Sequence, residues 1–187
     1  MDLLNIFSAF GLSASAGLNA YIPLLIVSLV GRFAPNLLKL NPPWDVMTSW
    51  WIIGLLIMLC LIEFFADKIP VVDTINDGIQ TFIRPAAGAI LFASSAHVIT
   101  DVHPILSLAL GLFIAGGVHA VKATARPVVT ATTAGTANVA VSAAEDALST
   151  VLSILSVVMP VVVACVLVII TAFIVLRMIR RSSPSKV

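Results

Sequence analysis

The sequence predicts an all-α, polytopic integral membrane protein of about six short transmembrane helices, arranged as two inverted three-helix repeats with a surface amphipathic helix. Three observations predict it. Of the residues, 60% are hydrophobic and 10% charged, where soluble domains carry about 25% charged residues. Lipid offers backbone groups no water, so apolar runs of this length must be helices. A ten-residue pattern near the N-terminus returns one hundred positions later.

The first span runs from about Ile6 to Val30 and ends at Gly31–Arg32. Within it Ser13–Ala16 resembles a signal-peptide cleavage site, but no Lys or Arg precedes the apolar run, so the segment is read as a helix. The second runs from Trp44 to about Ala66, with Trp44, Trp50 and Trp51 forming an interfacial belt at its start. Between spans two and three, Val72, Ile75, Ile79 and Phe82 recur at helical spacing, and Asp73, Asn76, Asp77 and Gln80 occupy another face. That pattern predicts an amphipathic helix on the membrane surface. The third span is Pro85–Thr100, the fourth Pro104–Val121, the fifth Val128–Leu148 and the sixth Pro160–Leu176. Spans three and six fall short of about 20 residues; they cross with little tilt or are re-entrant.

The chain reads as one membrane domain over 1–187, with halves at about 6–102 and 104–176 and a basic tail at 177–187. Basic residues favour the cytoplasmic side. Six spans with both termini inside place Lys68, Arg84, Lys122, Arg126, Arg177, Arg180, Arg181 and Lys186 in the cytoplasm, and Arg32 and Lys39 outside. The expected location is the cell (inner) membrane. A net charge of +1 argues against a nucleic-acid partner. Cys60 and Cys165 lie in apolar runs and suggest neither a disulfide nor a metal site. No cofactor motif is present.

In the repeat, residues 11–20 match residues 111–120: Gly11, Leu12, Gly17 and Ala20 recur as Gly111, Leu112, Gly117 and Ala120. Glu63 near the end of span two parallels Glu145 near the end of span five, and Pro85 and Pro160 open spans three and six. Three spans per half make the halves inverted, as in many secondary transporters. The stretches 11–24 and 63–73, with Arg84–Pro85–Ala86–Ala87–Gly88–Ala89, resemble the bacterial membrane proteins grouped as domain of unknown function (DUF) 4126. The resemblance spans nearly the whole chain. It implies a small multi-span membrane protein and brings no substrate or catalytic residue with it.

Candidate residues follow from the cost of polarity in lipid. Asn19 and His119 occupy equivalent repeat positions at membrane depth, where a polar side chain faces the protein interior. Glu63 follows an apolar run; ionised in hydrocarbon it costs several kcal/mol unless paired or wet. It is a candidate proton carrier, with a headgroup-level position as the alternative, and Glu145 and Asp146 share both readings. Together Asn19, Glu63, His119 and Glu145 form the expected ion or solute pathway. Arg84 and Arg126, each before a Pro, read as anchors to lipid phosphates or an anion. Ser13, Ser15, Gly17, Gly116 and Gly117 line small helix faces suited to close packing of spans one and four. Pro23 and Pro127 are candidate helix breakers. His97, Asp101 and His103 are the weak metal candidate, without an evident fourth ligand.

No nucleophile elbow, metalloprotease motif or phosphate loop occurs, so the sequence does not read as an enzyme. The expected function is a small transporter or channel-like protein for an unidentified solute or ion, working in lipid and at this size suited to a homodimer. A non-transporting assembly protein is the alternative, and a lipid-modifying enzyme the weakest reading.

Overall fold

The computed structural model describes residues 2–67, 70–96, 103–163, 165, 166, 168, 169, 173 and 177, and no strand occurs among them. Among the described residues the α-helices follow in order: α1 Asp2–Leu18, α2 Tyr21–Phe33, α3 Trp50–Ala66, α4 Pro70–Ala96, α5 Pro104–Thr133 and α6 Asn138–Val158. A 3-10 helix, Trp44–Thr48, precedes α3. The described residues after Pro160 are helical again. Helices α5 and α6 are long and apolar enough to cross a membrane.

The elements divide differently from the six runs. The first run breaks at Asn19–Ala20. Pro23 does not cause the break, since it sits in the first turn of α2, where a missing N–H costs nothing. The amphipathic stretch and the described part of the third run are one helix, α4, which continues through Pro85. The loop expected between spans four and five is also helix, because α5 continues through Lys122, Arg126 and Pro127. The turn falls later, where Ala134 and Gly135 take positive φ values of 50° and 79° and both N–H groups return to the Thr130 carbonyl. Arg84, Lys122 and Arg126 therefore leave the loops, and the charge count for topology loses those three residues.

Local contacts give the directions. Ser13 Oγ donates to the Gly88 carbonyl at 2.9 Å and Phe10 meets Phe92 edge to face, so α1 is antiparallel to the second half of α4. Ser15 bonds Ser149 and Ser153 while Gly11 abuts Ser156, so α1 is antiparallel to α6. Gly88 crosses Gly111 and Thr81 meets His119, so α4 and α5 are antiparallel. It follows that α1 and α5 run in the same direction, with Gly17 seated on Ala115 and Val118. The two copies of the repeated pattern thus lie side by side and parallel. An inverted pair would run in opposite directions.

Glu63 meets Arg84, and Asp67 meets Asn76 further back on α4, so α3 approaches from the Ala96 end. Phe33, at the end of α2, packs on Trp50, at the start of α3. Both α1 and α2 therefore lie on one side of Asn19, and together they form a helical hairpin with its tip at Asn19–Ala20. Leu12, Ala16, Val27, Ala87, Leu91 and Ala115 make the core around it. Serines and glycines let the backbones close in: a Cβ at Gly111 would stand 2.6 Å from Phe92 Cβ and overlap the Gly88 carbonyl. The outer face is apolar. Trp51 is 90% exposed, with Leu55, Met58, Leu61 and Phe65 beside it.

Candidate functional site

Charged residues of α3, α4 and α5 turn inward. Glu63, Arg84, His119, Lys122 and Arg126 are all buried, while Trp51, Leu55, Met58, Leu61 and Phe65 of α3 face out. Helical spacing explains the convergence. Asp77, Gln80 and Arg84 fall on one stripe of α4, His119, Lys122 and Arg126 on one stripe of α5, and Ser142, Glu145, Asp146 and Ser149 on one stripe of α6. The stripes face one another at the mid-length of α4 and α5, level with the hairpin tip.

Arg84 holds the centre. Its Nη2 donates to Glu63 Oε1 at 3.2 Å and lies 3.9 Å from Asp77 Oδ1. Its Nη1 lies 3.2 Å from His119 Nδ1. A guanidinium only donates, so Nδ1 accepts; the His119 proton sits on Nε2, which faces Thr81 Oγ1 at 3.1 Å. Arg126 donates through Nη1 to Asp77 Oδ2 at 2.6 Å, and through Nη2 to Glu145 Oε2 at 3.3 Å and to the Ser142 hydroxyl. Lys122 pairs with Glu145 Oε2 at 2.7 Å and donates to the Leu18 carbonyl at 3.1 Å.

The hairpin tip joins this network. Asn19 Oδ1 accepts from the N–H groups of Tyr21 and Ile22, capping α2, while its Nδ2 donates to Asp146 Oδ1 at 2.9 Å. The ammonium of Lys122 meets the carbonyl end of α1, where the helix dipole favours a cation. In the turn after α3, burial holds the Asp67 carboxyl above the usual carboxylate range, and Arg126 opposes it.

An open pocket of about 950 Å³ reaches the network from the α5–α6 turn. Its floor carries Asp77, His119 and Arg126, and its walls include Thr81, Ala123 and Thr130. A second pocket of about 190 Å³ lies between Phe64, Asp67 and Asp146. On the hairpin side the serine and glycine contacts pack the helices closely.

Asn19, Glu63, His119 and Glu145 all lie in this region. Arg84 and Arg126, expected to anchor to lipid phosphates or an anion, point into it and meet carboxylates of neighbouring helices. Ser13, Ser15 and Gly17 make close contacts to α4, α6 and α5 respectively. Gly116 touches Pro85 loosely, and Gly117 faces open space. His97 and Asp101 lie outside the described residues. His103 caps α5, its Nδ1 accepting from the Ile105 N–H at 3.3 Å. Among the described residues no group of three His, Cys, Asp or Glu side chains is placed to hold a metal. The sequence reading missed Lys122, Asp77 and Thr81. Their signal was present, since charged residues at i, i+3 and i+7 mark one face, but it was read as loop charge and surface amphipathicity.

The family model described as domain of unknown function (DUF4126) matches residues 6–181. The chain belongs to that family. No curated protein and no solved structure matches this DUF4126 chain.

Proposed function

We propose that this DUF4126 chain is a small multi-pass protein of the cell membrane that moves a small ion or solute through its charged centre, with Glu63 as a proton-carrying group. The observation that carries the reading is the Glu63–Arg84 pair: side chains 3% and 1% exposed, at mid-length of α4, behind an apolar outer surface. Ionisable groups at such depth are costly, and by default they mark an ion or proton path. The geometry supports the reading in two further ways. A pocket leads to the centre from one end, and a broken helix points its two termini at it, as discontinuous helices do at transporter binding sites. A non-transporting assembly role is the second reading, favoured by the close crossing of α4 and α5 at Gly88 and Gly111.

The test is proton flux into liposomes loaded with a pH-sensitive dye, driven by a valinomycin potassium potential. The wild type acidifies the lumen faster than protein-free liposomes, and Glu63→Gln loses the excess. Folded wild-type protein with no excess flux would favour the assembly role.

A further inference from the structure

Four polar atoms gather unpaired at the inner end of α3. Glu63 Oε2, Arg84 Nε and both atoms of the Gln80 amide have no hydrogen-bond partner among the described residues. Gln80 is 0%, Arg84 1% and Glu63 2% exposed. The three side chains are neighbours. Gln80 stands one turn before Arg84 on α4, and Arg84 Nη2 already holds Glu63 Oε1. Nε shares that edge of the guanidinium with Nη2. A carboxylate docked on the edge commonly takes both donors; here it takes one, leaving Nε and Oε2 unmatched. The Tyr21 hydroxyl of α2 comes near enough to the Gln80 amide to interact with it electrostatically, but not within hydrogen-bond geometry. Leaving a buried polar group unpaired is costly, so four together call for a partner.

The chemistry of the donors and acceptors selects that partner. Arg84 Nε and the Gln80 NH₂ offer protons, and Glu63 Oε2 and Gln80 Oε1 accept them. Arg84 repels a cation and Glu63 an anion. A small neutral molecule that both donates and accepts satisfies all four, and water makes two to four such bonds in buried polar sites. We propose that Glu63, Gln80 and Arg84 bind a water between α3 and α4, with Gln80 as its positioning residue. On the transport reading above, this water is the exchange partner of Glu63. When Glu63 is protonated its Oε2–H donates to the water oxygen, and when it is ionised the water donates to Oε2, while Glu63 Oε1 keeps its bond to Arg84.

Infrared difference spectra between acidic and neutral pH, recorded in H₂¹⁶O and H₂¹⁸O, read the water directly. The wild type gives a water O–H band that shifts with ¹⁸O, and Gln80→Leu loses it. Gln80→Asn, which keeps a shorter amide, retains a displaced band and stands in if Gln80→Leu fails to fold. A wild type without an ¹⁸O-sensitive band, or a band unchanged in Gln80→Leu, overturns the site. Liposome flux separates the two ideas: a band without flux leaves the water site standing and sinks transport, and flux without a band does the reverse.

Discussion

The ammonium of Lys122 lies 3.1 Å from the carbonyl oxygen of Leu18, the last residue of α1, and 2.7 Å from Glu145 Oε2 on α6. One side chain of α5 thus ties the hairpin tip to a third helix. Lys122→Met keeps the length and removes the charge. Glu145 keeps Arg126, so the loss falls short of the roughly 3–5 kcal/mol of a fully stranded buried charge, and the variant melts below the wild type in detergent. An unchanged melting temperature would contradict the tie.

Arg84 and Glu63 form a coupled pair. Arg84→Gln leaves Glu63 without its cation and is the more damaging single change. Adding Glu63→Gln to it removes the stranded charge, so the double variant recovers part of the lost stability. The double-mutant cycle gives a coupling within the 0.5–3 kcal/mol seen for contacting residues. Strictly additive effects would place the two side chains apart.

Gly111 and Gly117 lie less than two turns apart on α5 and have opposite surroundings. A methyl group at Gly111 meets Phe92 Cβ at 2.6 Å and the Gly88 backbone, whereas one at Gly117 meets nothing within 4 Å. Gly111→Ala forces α4 and α5 apart and lowers the melting temperature. Gly117→Ala is neutral or raises stability by up to about 1 kcal/mol through helix propensity. Thermal unfolding of the two variants side by side checks the crossing.

His119 is held neutral by geometry, since Arg84 donates to Nδ1. Nitrogen NMR of ¹⁵N-histidine-labelled protein at neutral pH shows Nδ1 unprotonated and Nε2 protonated for this residue. The reverse tautomer would mean that Arg84 does not reach it.

The all-helical class and the polarity of the centre were legible in the sequence, because composition and the price of polarity in lipid speak directly. Asn19 and Glu63 stood out as polar residues in long apolar runs. Arg84, Lys122 and Arg126 misled for the same reason: lone cations read as loop residues until their carboxylate partners are placed on other helices. The helix ends misled as well. Pro127 looked like a stop, yet α5 runs on through it, and the hairpin tip at Asn19–Ala20 carries no Gly or Pro to announce it. The repeated pattern pointed to inversion through a count of spans. The count failed when α4 and α5 absorbed segments assigned elsewhere.

The most direct measurement is labelling of single cysteines in membrane vesicles by a charged, impermeant thiol reagent, after Cys60 and Cys165 are replaced by alanine. Ala123→Cys lines the pocket, and Leu55→Cys lies on the apolar outer face, 46% exposed. A lipid-embedded protein with a hydrated path to its charged centre reacts at Ala123→Cys from one face of the membrane only and stays unreactive at Leu55→Cys. Rapid labelling of Leu55→Cys, or none at Ala123→Cys from either face, would contradict the account.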